Sequence, residues 1–173
     1  MSLTPDRAGF EQFVLARRGA LLRTAYLLTG SHADAEDLVQ TALIKSVRHW
    51  RRIADHPEPY VRTVLARESV SRWRRRRWRE LTTDEMPERV DAAPDIEARE
   101  DLRRALLALA PRQRAVIVLR YLEDLSERET AEALGIAVGT VKSQARDGLA
   151  ALRRRLPGLD DEEAAALPGS PAF

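Results

Sequence analysis

The chain has 173 residues, no cysteine and a formal net charge of +2. The lack of cysteine excludes a disulfide framework, a thiolate metal site and a cysteine nucleophile. No run of eighteen apolar residues is present, and Met1–Asp6 lacks the basic and apolar segments of a secretion signal, so we expect a cytoplasmic chain without membrane insertion.

Ala, Leu, Arg and Glu dominate the composition, and they favour an all-α fold. Apolar residues recur at helical spacing from Phe10 to Leu28, and Gly30 then supplies a helix stop. Ser31, with Asp34 three residues later, forms a variant of the capping box, and the apolar pattern restarts behind it. The sequence therefore predicts a first helix over 10–28 and a second helix that runs to about Arg52.

A third helix is expected after a loop. Residues 54–59 contain two prolines, which remove backbone donors and predict the loop, and Pro59 can occupy the first turn of a helix that reaches Arg79. Its second half is a run of arginines with tryptophans among them, which suits a track along a nucleic-acid backbone. The alternative for the arginines is a solvated helix end. Trp73 can stack on an unpaired base or pack in the core, and we favour the core.

A flexible linker is predicted at 81–98, where two prolines and seven charged residues interrupt the apolar pattern. The net charge is +7 over residues 1–80, −5 over 81–100, +4 over 101–156 and −4 over 157–173. Basic surfaces attract phosphate through counterion release, whereas an acidic connector is repelled by DNA. We therefore expect two basic helical domains, an acidic linker between them and an acidic, disordered tail.

The second domain contains the most informative motif. Helical spacing returns at Leu102 and breaks at Pro111, after which Ser126 and Glu129 form a capping box and Gly135 ends a short helix. A longer helix follows. A short helix, a tight glycine turn and a longer helix make a helix-turn-helix, in which the second helix enters the major groove of DNA.

Spacing divides the residues of this motif into two groups. Three apolar residues should hold its helices together: Ala131, Leu134 and Val141. Four polar residues should project from the second helix toward phosphates or base edges: Thr140, Lys142, Ser143 and Arg146. The alternative is an ordinary helical hairpin, but here the glycine turn, the capping box and the basic face coincide.

The second helix carries a polar, acidic edge, which consists of Asp34, Glu36, Asp37, Gln40 and Thr41. Such an edge suits a basic protein partner better than DNA, although most such edges are simply solvated. The histidines His32, His49 and His56 lie near helix ends or in a loop, where we expect surface residues and not metal ligands. No catalytic motif or glycine-rich phosphate loop is present, so we expect neither an enzyme nor a bound cofactor.

These segments together resemble a known family, the extracytoplasmic-function (group IV) sigma factors, and in particular their arginine-rich actinobacterial-type members. Residues 34–40 resemble the polymerase-binding motif of sigma region 2. Residues 60–65, which lead into the arginines of 72–75, resemble the helix that handles the −10 element. Residues 109–114 and 139–143 resemble the start and the recognition helix of sigma region 4.

The resemblance implies a region 2 bundle of three to four helices at 8–80, a linker at 81–98, a region 4 helix-turn-helix at 99–156 and a tail at 157–173. It also implies a sigma factor that directs core RNA polymerase to promoter DNA. On the polymerase, the contacts would be the clamp helices of the largest subunit and the flap of the second-largest. An anti-sigma factor can be a further partner.

The resemblance also assigns roles to residues. The acidic edge would bind the clamp helices, and the four polar residues of the recognition helix would read the −35 element. The loop 51–58 would hold a base flipped from the −10 element, while arginines of the third helix grip the strands around it. The residues expected near the −10 element are Arg51, Arg52, His56, Arg67, Arg72, Arg74, Arg75 and Arg76.

Two positions depart from the family pattern. Arg67 stands where many members carry Asn, so we expect phosphate contact to replace base reading there. Ala137 stands where a capping residue is common, and the loss of such a cap costs about 0.5–2 kcal/mol of helix stability.

Two other functions fit part of the sequence, namely a stand-alone helix-turn-helix regulator and a helical RNA-binding or adaptor protein. A regulator of this kind usually dimerises to read paired half-sites, yet the sequence shows no coiled-coil heptad and no effector-sized domain. A regulator also has no need of a polymerase-docking helix followed by an arginine track. The N-terminal half therefore favours a sigma factor.

Overall fold

The computed structural model describes the backbone of residues 4–79 and 94–156, and the side chains of residues 7–76 and 100–156. Every regular element in these ranges is helical, which confirms the all-α fold. In chain order the elements are α1 Thr4–Thr29, α2 His32–Val47, α3 Trp50–Ile53, α4 Pro57–Arg79, α5 Pro94–Leu107, α6 Pro111–Ile117, a π-helical turn Val118–Leu122, α7 Glu127–Leu134 and α8 Val138–Arg155. The predicted tail and most of the predicted linker lie outside the described residues.

The N-terminal domain consists of α1 to α4, with α1, α2 and α4 packed on one another. Gly30 adopts a left-handed backbone with φ 79° after α1, as a helix stop requires. The Ser31 hydroxyl then accepts the Asp34 amide and caps α2. The helices face one another with their apolar sides, and residues such as Leu21 and Leu38 are buried in the core between these helices.

The second helix is shorter than its apolar pattern predicts. α2 ends at Val47, and a turn at His49 leads into the short α3. This turn brings Trp50, only 6% exposed, against the rings of Phe10 and Phe13, at centroid distances of 5.1 and 5.6 Å. The packing of Trp50 on α1 therefore decides where α2 ends, although the apolar spacing of α2 continues beyond that point.

Both proline-containing boundaries lie earlier than the sequence predicts. α4 begins at Pro57, so the loop is reduced to 54–56, and α5 begins at Pro94, inside the predicted linker. Proline fits the first helical turn because the amide it lacks would have no partner there.

The C-terminal domain consists of α5 to α8, and it packs directly on α1 and α4. Leu28 and Leu65 of the N-terminal domain share one continuous apolar core with Leu106, Ile117 and Leu152 of the C-terminal domain. In this conformation the two domains therefore form one body.

Candidate nucleic-acid and polymerase interface

The helix-turn-helix is formed by α7 and α8, as predicted. The Ser126 side chain accepts the Glu129 amide while the Glu129 carboxylate accepts the Ser126 amide, which completes a capping box at the start of α7. Gly135 ends α7 with a left-handed backbone, φ 65°. Ala131 and Val141 are buried in the cluster that joins the helices, and Leu134 packs against it, which confirms the predicted apolar group.

The structure places the four predicted −35 residues along the first turns of α8. Lys142 and Arg146 are exposed, with 63% and 77% of their side chains accessible. Thr140 and Ser143 are half-buried, and the Ser143 hydroxyl donates to the Thr140 carbonyl at 3.0 Å. Ala137 precedes α8 without a side-chain cap. The face thus presents two cations toward solvent, with the apolar cluster behind it.

Three residues of the acidic edge, Glu36, Asp37 and Gln40, line a groove of about 380 Å³ between α1 and α2. Asp34 lines a different cleft, beside Arg72 and Arg76. Glu36, Asp37 and Gln40 are exposed on this groove, while Thr41 is half-buried. The groove also contains Ile44 and Val47, which are 51% and 48% exposed. Carboxylates beside exposed apolar side chains form a surface that suits a partner with basic and apolar groups.

Two arginines of α4 bind groups of the acidic edge, although the Arg76 side chain stays 53% accessible. Arg76 donates two N–H groups to the Asp34 carboxylate, at 2.8 and 3.1 Å. Arg72 donates to the Asp37 carbonyl at 3.0 Å and to the Thr41 hydroxyl at 2.7 Å. A surface ion pair such as Arg76–Asp34 contributes little stability, so Arg76 can exchange the Asp34 carboxylate for a phosphate at small cost.

The other predicted −10 residues are spread over α3, the loop after it and α4. Arg51 and Arg52 lie on α3 and border an open pocket of about 700 Å³ beside Trp50, and His56 lies exposed in the loop before α4. Arg74 and Arg75 are exposed on α4, and Arg75 lies 3.6 Å from Glu68. Because Arg51 and Arg52 are helical, the loop available to hold a flipped base is shorter than predicted.

Arg67 is a predicted −10 residue that contacts the C-terminal domain directly. Its Nε–H donates to the Ala133 carbonyl, and an Nη2 hydrogen donates to the Glu132 carbonyl at 2.8 Å. Both carbonyls belong to the last turn of α7. A cation at this position complements the helix dipole and adds donors to carbonyl oxygens of the last helical turn.

The prediction that Trp73 packs in the core is wrong, because the side chain is 40% exposed. It follows Ala66 by two helical turns, so both lie on the face of α4 that is turned toward the C-terminal domain. Trp73 lines a cleft between the domains together with Leu28, Pro111 and Arg114. The apolar pattern of α4 did not predict the position of Trp73, because this part of α4 faces the other domain and not the core of its own domain.

Sequence reasoning missed a set of polar residues that join the domains. Arg103, 8% exposed, donates to the Gly30 carbonyl at 2.7 Å, and Arg114, 9% exposed, donates to the Leu28 carbonyl at 2.8 Å. The one signal in the sequence is the position of Arg114, which is followed directly by the apolar stripe that begins at Ala115. Charged side chains are rarely buried unless they are paired, so this position alone did not predict that Arg114 would be buried.

Glu123, directly after the π-helical turn, is the buried carboxylate of this contact, with 8% of its side chain exposed. It accepts a hydrogen bond from the Thr24 hydroxyl and lies 2.6 Å from Arg62 Nε. Burial raises the pKa of Glu123, and Glu58 adds to this, while Thr24 and the arginines Arg62 and Arg23 oppose it.

Replacing Glu123 with Gln should therefore flatten the dependence of stability on pH. A carboxyl group with a raised pKa in the folded state contributes fully below its ordinary value of 4.5 and loses that contribution as the pH rises through the raised pKa. Unfolding by urea between about pH 4 and pH 7 measures this. Over that range wild type should lose stability relative to Glu123→Gln, and identical slopes for the two proteins would contradict the assignment.

Among the described residues, no helix is long and apolar enough to cross a membrane. The described part of the chain also holds no group of three or more His, Cys, Asp or Glu side chains that could bind a metal ion.

Comparison with known proteins finds a match for each half of the chain. Residues 13–79 match Sigma-70 region 2, and residues 99–152 match Sigma-70, region 4. The RNA polymerase sigma-E factor of Streptomyces avermitilis is 42% identical over 158 residues, which cover 87% of each chain. The ECF RNA polymerase sigma factor SigL of Mycobacterium tuberculosis is 36% identical over 149 residues, covering 80% of this chain and 84% of SigL.

A solved structure is similar as well. The sigma factor RpoE from Bartonella quintana, in complex with the anti-sigma factor NepR, superposes with a TM-score of 0.65 at 28% identity, covering 84% of this chain and 95% of that chain. With regions 2 and 4 matched in order, and with close relatives that align over most of their length, the chain belongs to the sigma-70 family as an RNA polymerase sigma factor of the extracytoplasmic-function type.

Proposed function

We propose that the acidic edge of α2 binds the clamp helices of the polymerase largest subunit. The support is the exposure of Glu36, Asp37 and Gln40 along an apolar groove. Clamp helices with basic and apolar side chains would complement this groove in both charge and hydrophobicity. The C-terminal domain would contact the flap of the second-largest subunit, and the linker predicted at 81–98 would pass through the polymerase between the two domains.

The exposed basic face of α8 would read the −35 element. The single observation that carries this proposal is the pair Lys142 and Arg146, which stand out from a helix held from behind by a buried apolar cluster. Arginine can bond guanine in the major groove, and Thr140 and Ser143 can donate to phosphates or bases. The arginines of α3 and α4 would grip the −10 element, with Arg67 on a phosphate.

In this proposal the chain is not an enzyme and needs no cofactor, because its work is to position another enzyme on DNA. It would act in the cytoplasm. An anti-sigma factor is a further proposed partner, supported by the solved relative that is bound to one. A stand-alone regulator would need only the helix-turn-helix, whereas this chain also carries the acidic groove.

The test is reconstitution of the purified chain with core RNA polymerase, followed by mapping of the genomic fragments that begin to be transcribed. We expect transcripts that start at a shared pair of sequence elements. A chain that binds such fragments tightly as a dimer, yet does not stimulate core polymerase, would support the stand-alone regulator instead.

Within this system, Arg146→Ala should weaken promoter binding by about 1–3 kcal/mol, because the variant loses one charged contact in the major groove. The matched control is Arg154→Ala, which removes an exposed arginine two turns later on the same helix. Binding of the reconstituted polymerase to a mapped promoter measures the difference. If both variants bind equally well, Arg146 does not face the −35 element.

A further inference from the structure

We infer that two carboxylates, those of Glu127 on α7 and Asp147 on α8, help to select the −35 sequence, each together with a neighbouring cation. This deepens the proposed function, on which it rests, because that function places the cations Lys142 and Arg146 on the −35 element. Phosphates repel a carboxylate, so Glu127 and Asp147 oppose binding to DNA of most sequences and favour it only where a base bonds them.

The first observation is that each of the two cations is paired with one of the carboxylates. Lys142 Nζ lies 3.6 Å from Glu127 Oε2, and the Arg146 Nε–H donates to the Asp147 carboxylate at 3.0 Å. The carboxylate side chains are 41% and 51% accessible, so both pairs are open to a partner. Each pair has no net charge, and a phosphate therefore gains less from it than from a lone cation.

The second observation is the place of Asp147 on the recognition helix. Asp147 follows Ser143 by four residues and Thr140 by seven, and residues at these spacings share one face of a helix. Asp147 therefore extends the row of polar residues that is proposed to face DNA. Consecutive side chains leave a helix about 100° apart, so the bond to Asp147 turns Arg146 toward the same row.

Glu127 reaches this face from the other helix of the motif. It is the first residue of α7, and its contact with Lys142 places it beside the first turns of α8. In a helix-turn-helix the first helix crosses the DNA backbone, while the start of the second helix meets base edges. Glu127 therefore lies on the side of the motif that DNA covers.

A G·C pair offers a partner to both members of such an ion pair. In the major groove guanine presents two acceptors, N7 and O6, and cytosine presents its N4 amino group as a donor. The cation can donate to guanine while the carboxylate accepts from cytosine, whereas a phosphate satisfies the cation alone. Exposed ion pairs are weak, so the cation leaves its carboxylate at small cost. We therefore expect each ion pair to favour a G·C pair in the −35 element and to disfavour phosphate contacts elsewhere.

Two conservative substitutions remove the carboxylates one at a time, Glu127→Gln and Asp147→Asn. Both side chains are exposed and they lie on different helices, so each variant tests the inference by itself. The matched control is Asp101→Asn on α5. It removes a carboxylate that is 52% accessible and pairs with Arg104 at 2.9 Å, and it raises the net charge by the same amount. Each protein is reconstituted with core RNA polymerase.

The first readout is binding to a mapped promoter and to copies in which each G·C pair of its −35 element is replaced by A·T, one pair at a time. Wild type and Asp101→Asn should lose about tenfold in affinity at the pairs that face the carboxylates, as a mismatched pair usually costs. Each carboxylate variant should lose most of this penalty at one pair, because an amide bonds adenine well. Penalties equal to wild type at every pair, in either variant, overturn the inference, and so does a −35 element without G·C pairs.

The second readout is the salt dependence of binding to a duplex of scrambled sequence. Once its carboxylate is removed, the cation is free to take one more phosphate, so the slope of log affinity against log salt should steepen by about one. Affinity for the scrambled duplex should rise about fivefold at low salt, because phosphate contacts dominate such binding. Asp101→Asn should keep the wild-type slope. Unchanged slopes in both carboxylate variants also overturn the inference.

Failure of the proposed function shows separately. If α8 does not face the −35 element, Arg146→Ala and Arg154→Ala bind the promoter equally well. If Arg146→Ala weakens binding while both carboxylate variants behave as Asp101→Asn does, the proposed function stands and the inference is overturned.

Discussion

Asp37→Arg should abolish binding to core RNA polymerase. Asp37 is exposed at the groove between α1 and α2, beside apolar side chains that a partner would cover. The substituted arginine would face a basic partner surface, which repels it. On docking it would also be buried without an opposite charge, and this adds a further cost. The measurement is co-purification of the tagged variant with core polymerase. The fold should be retained, because Asp37 contributes only its backbone carbonyl to the contact with Arg72.

The matched control for this prediction is Asp101→Arg, the same charge reversal at an exposed carboxylate on α5, which is 52% accessible. It should co-purify as wild type does. Normal recovery of polymerase with Asp37→Arg would show that the acidic edge is merely solvated, and it would move the docking site to another surface.

Arg114→Met should lower the free energy of unfolding by at least about 3 kcal/mol, because several buried carbonyls lose their donor at once and each costs about 1–3 kcal/mol when it is left unsatisfied. Arg114 donates to Leu28, Leu106, Leu107 and Leu109 at 2.8–3.2 Å. Burial lowers its pKa to about 10, so the guanidinium stays charged at neutral pH.

Urea denaturation checks this prediction, with Arg112→Met as the control. Arg112 lies two residues earlier on the same helix and is exposed. The control should unfold within about 0.5 kcal/mol of wild type, as is usual for surface substitutions. Equal midpoints for Arg112→Met and Arg114→Met would show that the carbonyls find other donors.

Local signals predicted the helix-turn-helix closely. Ser126, Glu129 and Gly135 act within one helical turn of their partners, so the sequence alone marks both ends of α7. The same reasoning gave the exposed face of α8, where residues project at fixed angles from the axis. The acidic edge of α2 was predicted for the same reason. What these faces bind came from the family resemblance.

Local sequence patterns could not predict contacts between residues that are far apart in the sequence. The residues next to Trp50 in sequence do not indicate that its ring packs on Phe10 and Phe13. The predicted α2 was therefore too long. The arginines of α4 resemble one another in sequence, yet Arg67 bonds α7 while Arg76 bonds α2. Which partner each arginine takes depends on the packing of the two domains, and composition does not encode that.

Gly30 joins two requirements at one position. Its left-handed backbone ends α1, and a methyl group added there would overlap the Leu107 side chain of the C-terminal domain. Any side chain at Gly30 thus strains the backbone and also forces the Leu107 side chain to move. A smaller residue at position 107 would remove the second cost but not the first, so a change at Gly30 is tolerated better when Leu107 is shortened with it.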